Sequence, residues 1–410
     1  MDKYFKFEII KKDKNSRLGK FKTPHGVIKT PNFMPVATQG SIKSLDSGDL
    51  TEIGMDILMT NTYHLHLRPG ENIVKKFGGL HKFMNWNKPL MTDSGGYQVF
   101  SLGAAQRIKD EFNSSKRPGK FLDILKEEHA IEKARLNKKQ DQNIKLAKVD
   151  EEGVTFYSHI DGSKHRFDPE ISIRIQEKLG ADLIVALDDH ELPFWDHDKT
   201  EVFLERTHRW ELESINAQKR KDQFMYGVIH GGLYQDLRQK SAKFVDKNFP
   251  GIAIGGSYST KETLHKVIEW TTKLVTPEKP RHLLGIGEIE DFFEAIERGV
   301  DLFDCVIPTR LARMGWFFVS PPYGNKKNRF REDISKIKNL NSKKSLSNYC
   351  KCYVCQNYTR GYIHHLFRAR ELLSYRLLTY HNLFVYYNLL KKIRESIEIG
   401  KFFEFKKSWI

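Results

Sequence analysis

The chain has 410 residues, of which 39% are hydrophobic and 12% aromatic, enough for a large folded core, which excludes a disordered chain. No apolar run approaches the roughly 18 residues of a membrane span, and the first residues lack the apolar stretch of a signal peptide. The formal net charge of +16 indicates a nucleic-acid partner, an anionic membrane surface or only a lysine-rich composition.

Short apolar runs alternate with longer helix-like stretches through most of the chain. The predicted strands are nearly continuous in Val, Ile, Leu and Phe, as expected for strands covered on both faces. They lie at 56–59, 182–187, 224–229, 251–254, 282–286 and 302–306, and the predicted helices at 169–179, 200–220, 235–247, 261–274 and 363–397. This alternation predicts an α/β fold with a parallel sheet, and its length favours a (β/α)8 TIM barrel over a doubly wound open sheet.

The first polar segment behind a predicted strand is a short loop around Asp93, with Ser94, Gly95, Gly96 and Tyr97. Active sites of such barrels are built at the carboxyl ends of the strands. The glycines allow backbone amides to approach a planar ligand, and the tyrosine could stack on that ligand. An ordinary turn with a surface carboxylate is the alternative.

Two stretches interrupt the alternation of strands and helices. Residues 104–150 are rich in Lys, Glu, Gln and Asn, with no aromatic residue after Phe121, which predicts a solvated, partly helical insertion. Residues 321–347 are rich in Lys, Asn and Ser and lead into a cysteine cluster.

Three more strand ends carry polar residues or glycines. Asp188 could accept two hydrogen bonds from an amidine-like edge, or it could cap the next helix. His230, between glycines, could donate to or accept from a ligand, although a lone histidine is more often structural. Gly256, in a glycine pair, could donate a peptide N–H to a bound ring, or simply permit a tight turn.

The fifth segment combines Asp304, at the end of an apolar run, with Arg310 and Arg313. The carboxylate could serve as a nucleophile or as an acid/base, and the arginines could hold phosphates; an Asp–Arg ion pair at the barrel rim is the alternative. Two separated carboxylates with a basic rim favour chemistry at an anomeric carbon, in which one forms a glycosyl–enzyme ester and the other moves a proton. The glycine-lined loops favour a nucleobase as the leaving group.

Three of the four cysteines, Cys350, Cys352 and Cys355, form a C-x-C-x2-C pattern that is followed by His381. Three thiolates and one imidazole are the ligands of a closed structural zinc site, with unrelated free cysteines as the alternative. Cys305 then has no partner for a disulfide, which fits a reducing cytoplasm. We expect a catalytic barrel over 1–320, and over 321–410 a zinc-binding subdomain with C-terminal helices that complete the barrel.

Together these segments resemble the queuine tRNA-ribosyltransferase family, the tRNA-guanine transglycosylases, in its bacterial form. The resemblance covers nearly the whole chain except 104–150, and no extra C-terminal RNA-binding domain follows the zinc pattern, as the archaeal branch would have. The matching pieces are Asn-Thr-Tyr-His-Leu at 61–65, Asp-Ser-Gly-Gly-Tyr-Gln at 93–98, 160–163, 169–170, 303–310, and the cysteine cluster with Tyr-Ile-His-His-Leu at 362–366.

The resemblance implies an enzyme that exchanges guanine at the wobble position of tRNA for a 7-deazaguanine base. Asp304 would be the nucleophile on C1′ of the ribose, Asp93 the general acid/base, and Asp188 the partner of the amidine edge. The implied base pocket comprises Asp93, Ser94, Gly95, Gly96, Tyr97, Asp188, His230, Gly256 and Leu284. The implied RNA contacts are Gly285, Ile286, Gly287, Glu288, Ile289, Glu290 and Asp291, with Thr309, Arg310, Leu311, Ala312 and Arg313. One structural Zn²⁺ per subunit, a homodimer in the cytoplasm and no membrane partner complete the expectation.

Three departures from the family pattern lie around the base pocket. The family usually has glutamine at His230, Asp-Glu-Cys at 188–190, and Gly-Gly-Leu-Ala-Val at 255–259. We therefore hypothesise an altered base preference, with queuine and its aminomethyl precursor both open. A non-catalytic tRNA-binding paralogue and a glycoside hydrolase are the rival functions; the first should lack one of the two aspartates, and the second should have an aromatic sugar-binding rim. The 104–150 insertion either contacts tRNA or is a solvated excursion.

Overall fold

The computed structural model describes residues 3–100, 147–192, 195–256 and 260–410. Its centre is a closed barrel of eight parallel strands, in which the last strand pairs with the first. In barrel order these strands are β4 (Asn32–Ala37), β5 (Leu58–Thr60), β6 (Leu90–Thr92), β10 (Leu183–Val185), β11 (Phe224–Ile229), β12 (Gly251–Ile254), β13 (Arg281–Leu283) and β14 (Leu302–Cys305). The α/β barrel is thus confirmed, and the open sheet is excluded.

Helices follow the barrel strands along the chain, as the alternation predicted. Those between barrel strands are α1 (Ser47–Ile53), α2 (Thr62–Leu67), α3 (Glu71–Lys76), α4 (Leu80–Met84), α5 (Pro169–Leu179), α6 (His197–Ala217), α7 (Gln235–Asn248), α8 (Lys261–Thr272) and α9 (Ile289–Glu297). After β14 come α10 (Ile307–Arg313), α11 (Tyr353–Asn357), α12 (Arg360–Arg368), α13 (Leu372–Glu398) and α14 (Phe402–Lys407).

The barrel strands are apolar on both faces, which explains why their sequence runs are continuous. In β11, Tyr226 and Val228 pack into the cluster that lines the barrel, while Met225 and Ile229 pack against the outer helices. The bounds of β11, β12 and α5 match their predicted positions. The other predicted elements, apart from the helical run at 363–397, are displaced by a few residues at their ends.

An antiparallel sheet that the sequence analysis did not predict lies at the amino-terminal end of the barrel. Its strands are β1 (Lys6–Asp13), β2 (Ser16–Thr23) and β3 (Gly26–Thr30). Phe21 and Ile28 from this sheet share one apolar cluster with the barrel residues Met34 and Phe224. This end of the barrel is therefore filled with apolar side chains.

A second antiparallel sheet follows β6, formed by β7 (Ala147–Val149), β8 (Val154–Tyr157) and β9 (Lys164–Phe167). The predicted insertion at 104–150 lies outside the described residues up to 146. Its last residues differ from the expected solvated excursion, because β7 pairs with β8.

The C-terminal part contains a hairpin of β15 (Trp316–Phe318) and β16 (Arg331–Asp333), a 3-10 turn at Ile337–Asn339, and the helices α11 to α14. The single helical run predicted over 363–397 is wrong: α12 and α13 are separate helices, because Arg370 takes a left-handed φ of 59° between them. Helix α13 packs against α10, α1 and β4, and the division of the chain at residue 320 stays a prediction. Among the described residues, no helix is both long and apolar enough to span a bilayer.

Candidate active site

Asp93 directly follows β6 and is held by uncharged donors. The Thr62 backbone N–H donates to its Oδ1 at 2.8 Å, and the Gln98 Nε2 donates to its Oδ2 at 3.1 Å. The Asn61 side-chain amide also donates to Oδ2. Asn61 and Thr62 come directly after β5, so the neighbouring strand fixes the orientation of this carboxylate.

The surroundings of Asp93 favour its neutral form. Burial raises the pKa of this carboxyl from 3.8 to about 6, although the hydrogen bonds from Asn61, Thr62 and Gln98 lower it. The negative charge of Asp304 raises it further, so the two carboxylates lie close enough to interact. A carboxyl group with this pKa can both give and take a proton near neutral pH.

Asp304 lies on β14 and is held from the neighbouring strand. The ring Nε2 of His282, a fully buried residue on β13, is 2.9 Å from Asp304 Oδ1, and the Gly285 backbone N–H donates to the same oxygen at 3.0 Å. Only β4 and β5 separate β14 from β6 in the barrel. Asp304 and Asp93 therefore belong to strands that lie three positions apart in the barrel, and their charges interact.

Asp188 follows β10, is buried, and has both a serine and a histidine on its carboxylate. The Ser94 hydroxyl donates to Oδ1 at 2.9 Å, and the His230 Nε2 lies 2.9 Å from Oδ2. Burial would raise the pKa of Asp188, but the charges and hydrogen bonds of His190 and His230 lower it. Asp188 is therefore an anion at neutral pH.

His230 directly follows β11 and lies between two carboxylates, with none of its side chain exposed. Its Nδ1 is 2.6 Å from Oε2 of Glu191, on the side opposite Asp188. Glu191 is itself held by Arg238 Nη2 at 3.1 Å and by the Gly232 N–H at 3.0 Å. Asp188, His230, Glu191 and Arg238 thus form a buried row of alternating groups, which we call the charge row.

Two glycines allow close packing around this row. A Cβ on Gly96 would lie 2.7 Å from the backbone oxygen of Asp188, and a Cβ on Gly256 would collide with the Arg238 guanidinium. Gly256 also has a φ of +125°, which side chains of L-residues rarely allow. Its backbone therefore lies directly against the row.

The remaining predicted pocket residues surround the same end of the barrel. Tyr97 is 42% exposed, enough for a stacking surface, and its ring centroid is 5.3 Å from that of His190. Leu284 is half-buried directly after β13, and its N–H donates to Ile254 at the end of β12. Gly95 has a φ of +81° in the tight loop beside Asp93.

The two predicted RNA-contacting segments form one rim beside Asp304. Gly285 is exposed, and the half-buried residues are Ile286, Glu288, Glu290, Arg310, Leu311 and Arg313. The others, Gly287, Ile289, Asp291, Thr309 and Ala312, are buried and shape the rim from inside. For example, the Tyr386 hydroxyl of α13 donates to the Gly287 carbonyl at 2.6 Å.

The four predicted metal ligands come together in the C-terminal part. The ligand atoms of Cys350, Cys352, Cys355 and His381 lie within 4.8 Å of one another. The His381 Nδ1 is 3.5 Å from Cys352 Sγ and 3.4 Å from Cys355 Sγ, and its Nε2 donates to the Phe318 carbonyl at 2.8 Å. That bond leaves the Nδ1 lone pair for a metal, so the residues form a possible metal-binding site.

A second group of potential ligands lies at the other end of the barrel. The His25 and His81 rings stack on each other with centroids 3.5 Å apart, and both bind Asp182, at 2.7 and 3.2 Å. Imidazole lone pairs lie in the ring plane, and two nearly parallel rings do not direct them at one ion. We therefore interpret this group as a hydrogen-bonded pair on a buried carboxylate.

Sequence reasoning named the three aspartates but missed most of the residues that hold them. His282, Glu191 and Arg238 had no assigned role, and Asn61 entered only as part of a matching motif. His282 is a polar residue inside an apolar strand, and Glu191 extends an acidic run. Both patterns could have indicated a role in the site. Arg238 lies in a helix rich in charged residues, so its sequence position gave no such indication.

Comparisons with known proteins agree with one another. A model of the family described as queuine tRNA-ribosyltransferase matches residues 12–135 and 136–410. A putative queuine tRNA-ribosyltransferase of Archaeoglobus fulgidus is 44% identical, over 99% of this chain and 99% of its own. The queuine tRNA-ribosyltransferases of Herpetosiphon aurantiacus and Caldanaerobacter subterraneus are each 42% identical over 99% of this chain, and over 92% and 96% of theirs.

Proposed function

Because the chain belongs to the queuine tRNA-ribosyltransferase family, and is therefore a pentosyltransferase, we propose that it replaces guanine at the wobble position of tRNA by a 7-deazaguanine base through a covalent intermediate. The observation that carries the mechanism is the pair of interacting carboxylates with different partners. Asp304 is oriented by a buried histidine and a backbone N–H, and Asp93 has a pKa of about 6.

The first half-reaction breaks the bond between the ribose and guanine. Both donors to Asp304 bind Oδ1, so Oδ2 is the oxygen that forms a bond to C1′ of the ribose. The C1′–N9 bond breaks, and its electron pair leaves with guanine. Asp93 in its neutral form supplies the proton that the departing base takes up.

The second half-reaction reverses this sequence with the new base. N9 of the incoming base attacks C1′, the ester bond to Asp304 breaks, and the carboxylate is restored. Asp93, now ionised, takes the N9 proton and returns to its starting form. Its pKa of about 6 suits both directions of this transfer.

The base pocket lies between Tyr97 and Leu284, with Asp188 at one edge. Each oxygen of Asp188 already accepts one hydrogen bond from the protein, and each can accept one more, from N1–H and the exocyclic amine of the base. Gly256 supplies a backbone N–H to the same ring. The position of His190 beside the pocket and the departures at 257–259, which lie outside the described residues, support an altered preference for the 7-substituent.

The rim formed by 285–291 and 309–313 is the proposed contact with tRNA, and the net charge of +16 favours binding to its phosphates. We propose that Cys350, Cys352, Cys355 and His381 hold one Zn²⁺ in a closed, structural site. Helix α13, which carries His381, also holds the rim through Tyr386, so the ion would stabilise the tRNA-binding surface. Metal analysis of the purified chain should give about one zinc per subunit, and substantially less after Cys352→Ala.

The proposed activity is tested by guanine exchange on a tRNA whose anticodon begins with guanine and uracil. We expect labelled guanine to be released when either the aminomethyl deazaguanine or queuine is offered, and the ratio of the two rates measures base preference. A tRNA–protein complex that survives denaturation should form without an incoming base. Binding of tRNA with no exchange would instead support the non-catalytic paralogue, and a homodimer is checked by the mass of the particle in solution.

A further inference from the structure

The charge row extends the base pocket into the barrel wall and contains a group that the proposed reaction does not use directly. His230 is completely buried and places both ring nitrogens on carboxylate oxygens, at 2.6 Å from Glu191 and 2.9 Å from Asp188. Neither nitrogen is left to contact a base. Its role must therefore act through one of its two neighbours.

The number of protons in the row follows from its geometry. Each short contact of His230 needs one proton, because a bare ring nitrogen would face a carboxylate lone pair. Two protons shared by one ring and two carboxylates give either an imidazolium between two anions or a neutral ring beside a carboxylic acid. Burial would lower the pKa of His230, but Glu191 and Asp188 raise it to about 10, which selects the imidazolium.

Arg238 explains why Glu191 stays ionised in the barrel wall. Its guanidinium is fully buried and donates to the carbonyls of Gly232, Ile229 and Gly255 at 2.7 to 2.9 Å, besides Glu191. Arginine remains charged, so it fixes Glu191 as an anion, and Glu191 in turn favours a charged His230. The row carries two positive and two negative charges and is neutral as a whole.

We infer that His230 is a positioning residue for the base: as an imidazolium fixed by Glu191, it holds Asp188 as an oriented carboxylate. This inference rests on the proposed function, because it gives Asp188 the amidine edge of the base as its ligand. A glutamine could donate one hydrogen bond to Asp188 but could not bring a positive charge. The pocket thereby selects a base with two adjacent donors, since a base with one donor would leave one anionic oxygen with its protein donor alone.

Other ionisable groups around His230 must be considered in any pH experiment. Besides the charge row they are His190, whose ring centroid is 5.4 Å away, and the α6 residues His208 and Glu211. Burial raises the pKa of Glu211 to about 8 and lowers that of His208 to about 4, so both are neutral at pH 7. They leave Glu191 as the group whose removal should change the charge of His230 most. Glu211 ionises toward pH 8.5 in wild type and variants alike, so the test compares ratios to wild type at each pH.

The test measures kcat and KM for guanine exchange between pH 6.0 and 8.5 in the wild-type chain and in His230→Gln, Glu191→Gln and the double variant. We expect His230→Gln to raise the guanine KM about tenfold with kcat changed less than threefold, because a charge-assisted hydrogen bond to Asp188 is lost. In Glu191→Gln, His230 lacks the anion that holds its second proton and should lose that proton as the pH rises. The ratio of the guanine KM of this variant to the wild-type KM should therefore rise at least about threefold between pH 6.0 and 8.5.

His197→Gln is the matched control, because His197 forms a surface pair with Asp236 at 2.7 Å and contacts the Tyr234 ring, and neither partner is a member of the charge row. Its guanine KM should stay within a factor of about two of wild type. Unchanged KM in His230→Gln, together with a constant ratio in Glu191→Gln, would overturn the positioning role.

If the variants fold poorly, a spectroscopic measurement on the wild-type chain still tests the inference. In the wild-type chain labelled with ¹⁵N-histidine, His230 should show a proton on each ring nitrogen at pH 7.5, and a single ring N–H would overturn the inference. A wild-type chain that exchanges no guanine at all would refute the proposed function itself, and with it the base that His230 positions. Guanine exchange with an unchanged KM in His230→Gln and a constant KM ratio in Glu191→Gln would refute only the positioning role of His230.

Discussion

Asp93 and Asp188 lie at the same end of the barrel, yet their partners give them opposite properties. Asp93 is surrounded by amide donors and faces another acid, and its pKa is raised to about 6. Asp188 is more deeply buried but lies beside His230 and His190, and its pKa is lowered. The charge of the neighbours, more than the degree of burial, decides which carboxylate can exchange a proton and which serves as a fixed anion.

The largest expected effect separates chemistry from binding. Asp304→Asn should lower guanine exchange by at least about 10⁴-fold, because an amide cannot form the ester with C1′. The variant should still bind tRNA in a mobility-shift assay, since the rim and Asp188 are unchanged. A denaturation-resistant complex with tRNA in this variant would identify another nucleophile.

The second effect compares the surroundings of Asp188 and Asp93 through the free energy of unfolding. Asp188→Asn leaves the buried His230 with one anionic partner and should lower the free energy of unfolding by about 3 kcal/mol or more. Asp93→Asn should not lower it, because the raised pKa of Asp93 means that its ionised form costs stability at pH 7, and the neutral amide removes that cost. Urea unfolding of both variants at pH 7.5 compares them, and equal losses would show that the charge row is not special.

The third effect is the pH dependence of exchange. Asp93 has a raised pKa, so below about pH 6 it is protonated and cannot take the N9 proton of the incoming base. We expect kcat for base incorporation to fall by about tenfold for each pH unit below this value when that step limits the rate. In Asp93→Asn the remaining, slower activity should lack this limb between pH 5 and 7.

The smallest expected effect tunes Asp93 without replacing it. Asn61→Ala removes one of the donors that lower its pKa, so the acidic limb of kcat should move upward by about half to one pH unit. Thr51→Ala, on the outer helix α1, provides a control that should leave the limb in place. A limb that does not move in Asn61→Ala would mean that another group than Asp93 titrates.

The barrel and the main carboxylates of the site could be predicted from the sequence. Asp93, Asp188 and Asp304 could be named because each follows an apolar run, and the carboxyl ends of barrel strands meet at one face. The cysteine cluster was equally readable, since its spacing is local. These predictions depend on short stretches of chain and on one rule of topology.

What could not be predicted depends on contacts between distant segments. Arg238 looks like a residue of a solvated helix face, and only the fold shows its guanidinium buried against Glu191. The strands of the N-terminal sheet carry many lysines, so the sequence did not show which face of the sheet is buried. The structure shows it, because Phe21 packs against the amino-terminal end of the barrel. The break at Arg370 has no proline or glycine, so the local sequence did not mark it.

The closure of the barrel has a consequence for how the enzyme comes into existence during synthesis. Asp304 is on the last barrel strand and pairs in register with Met34 on the first, so the strand with the proposed nucleophile completes the ring. A growing chain on the ribosome can form the Asp93 loop and the charge row long before this strand emerges. Such long-range closure is slow compared with local folding. The Asp304 carboxylate should therefore be among the last groups of the site to reach its place, after the Asp93 loop and the charge row.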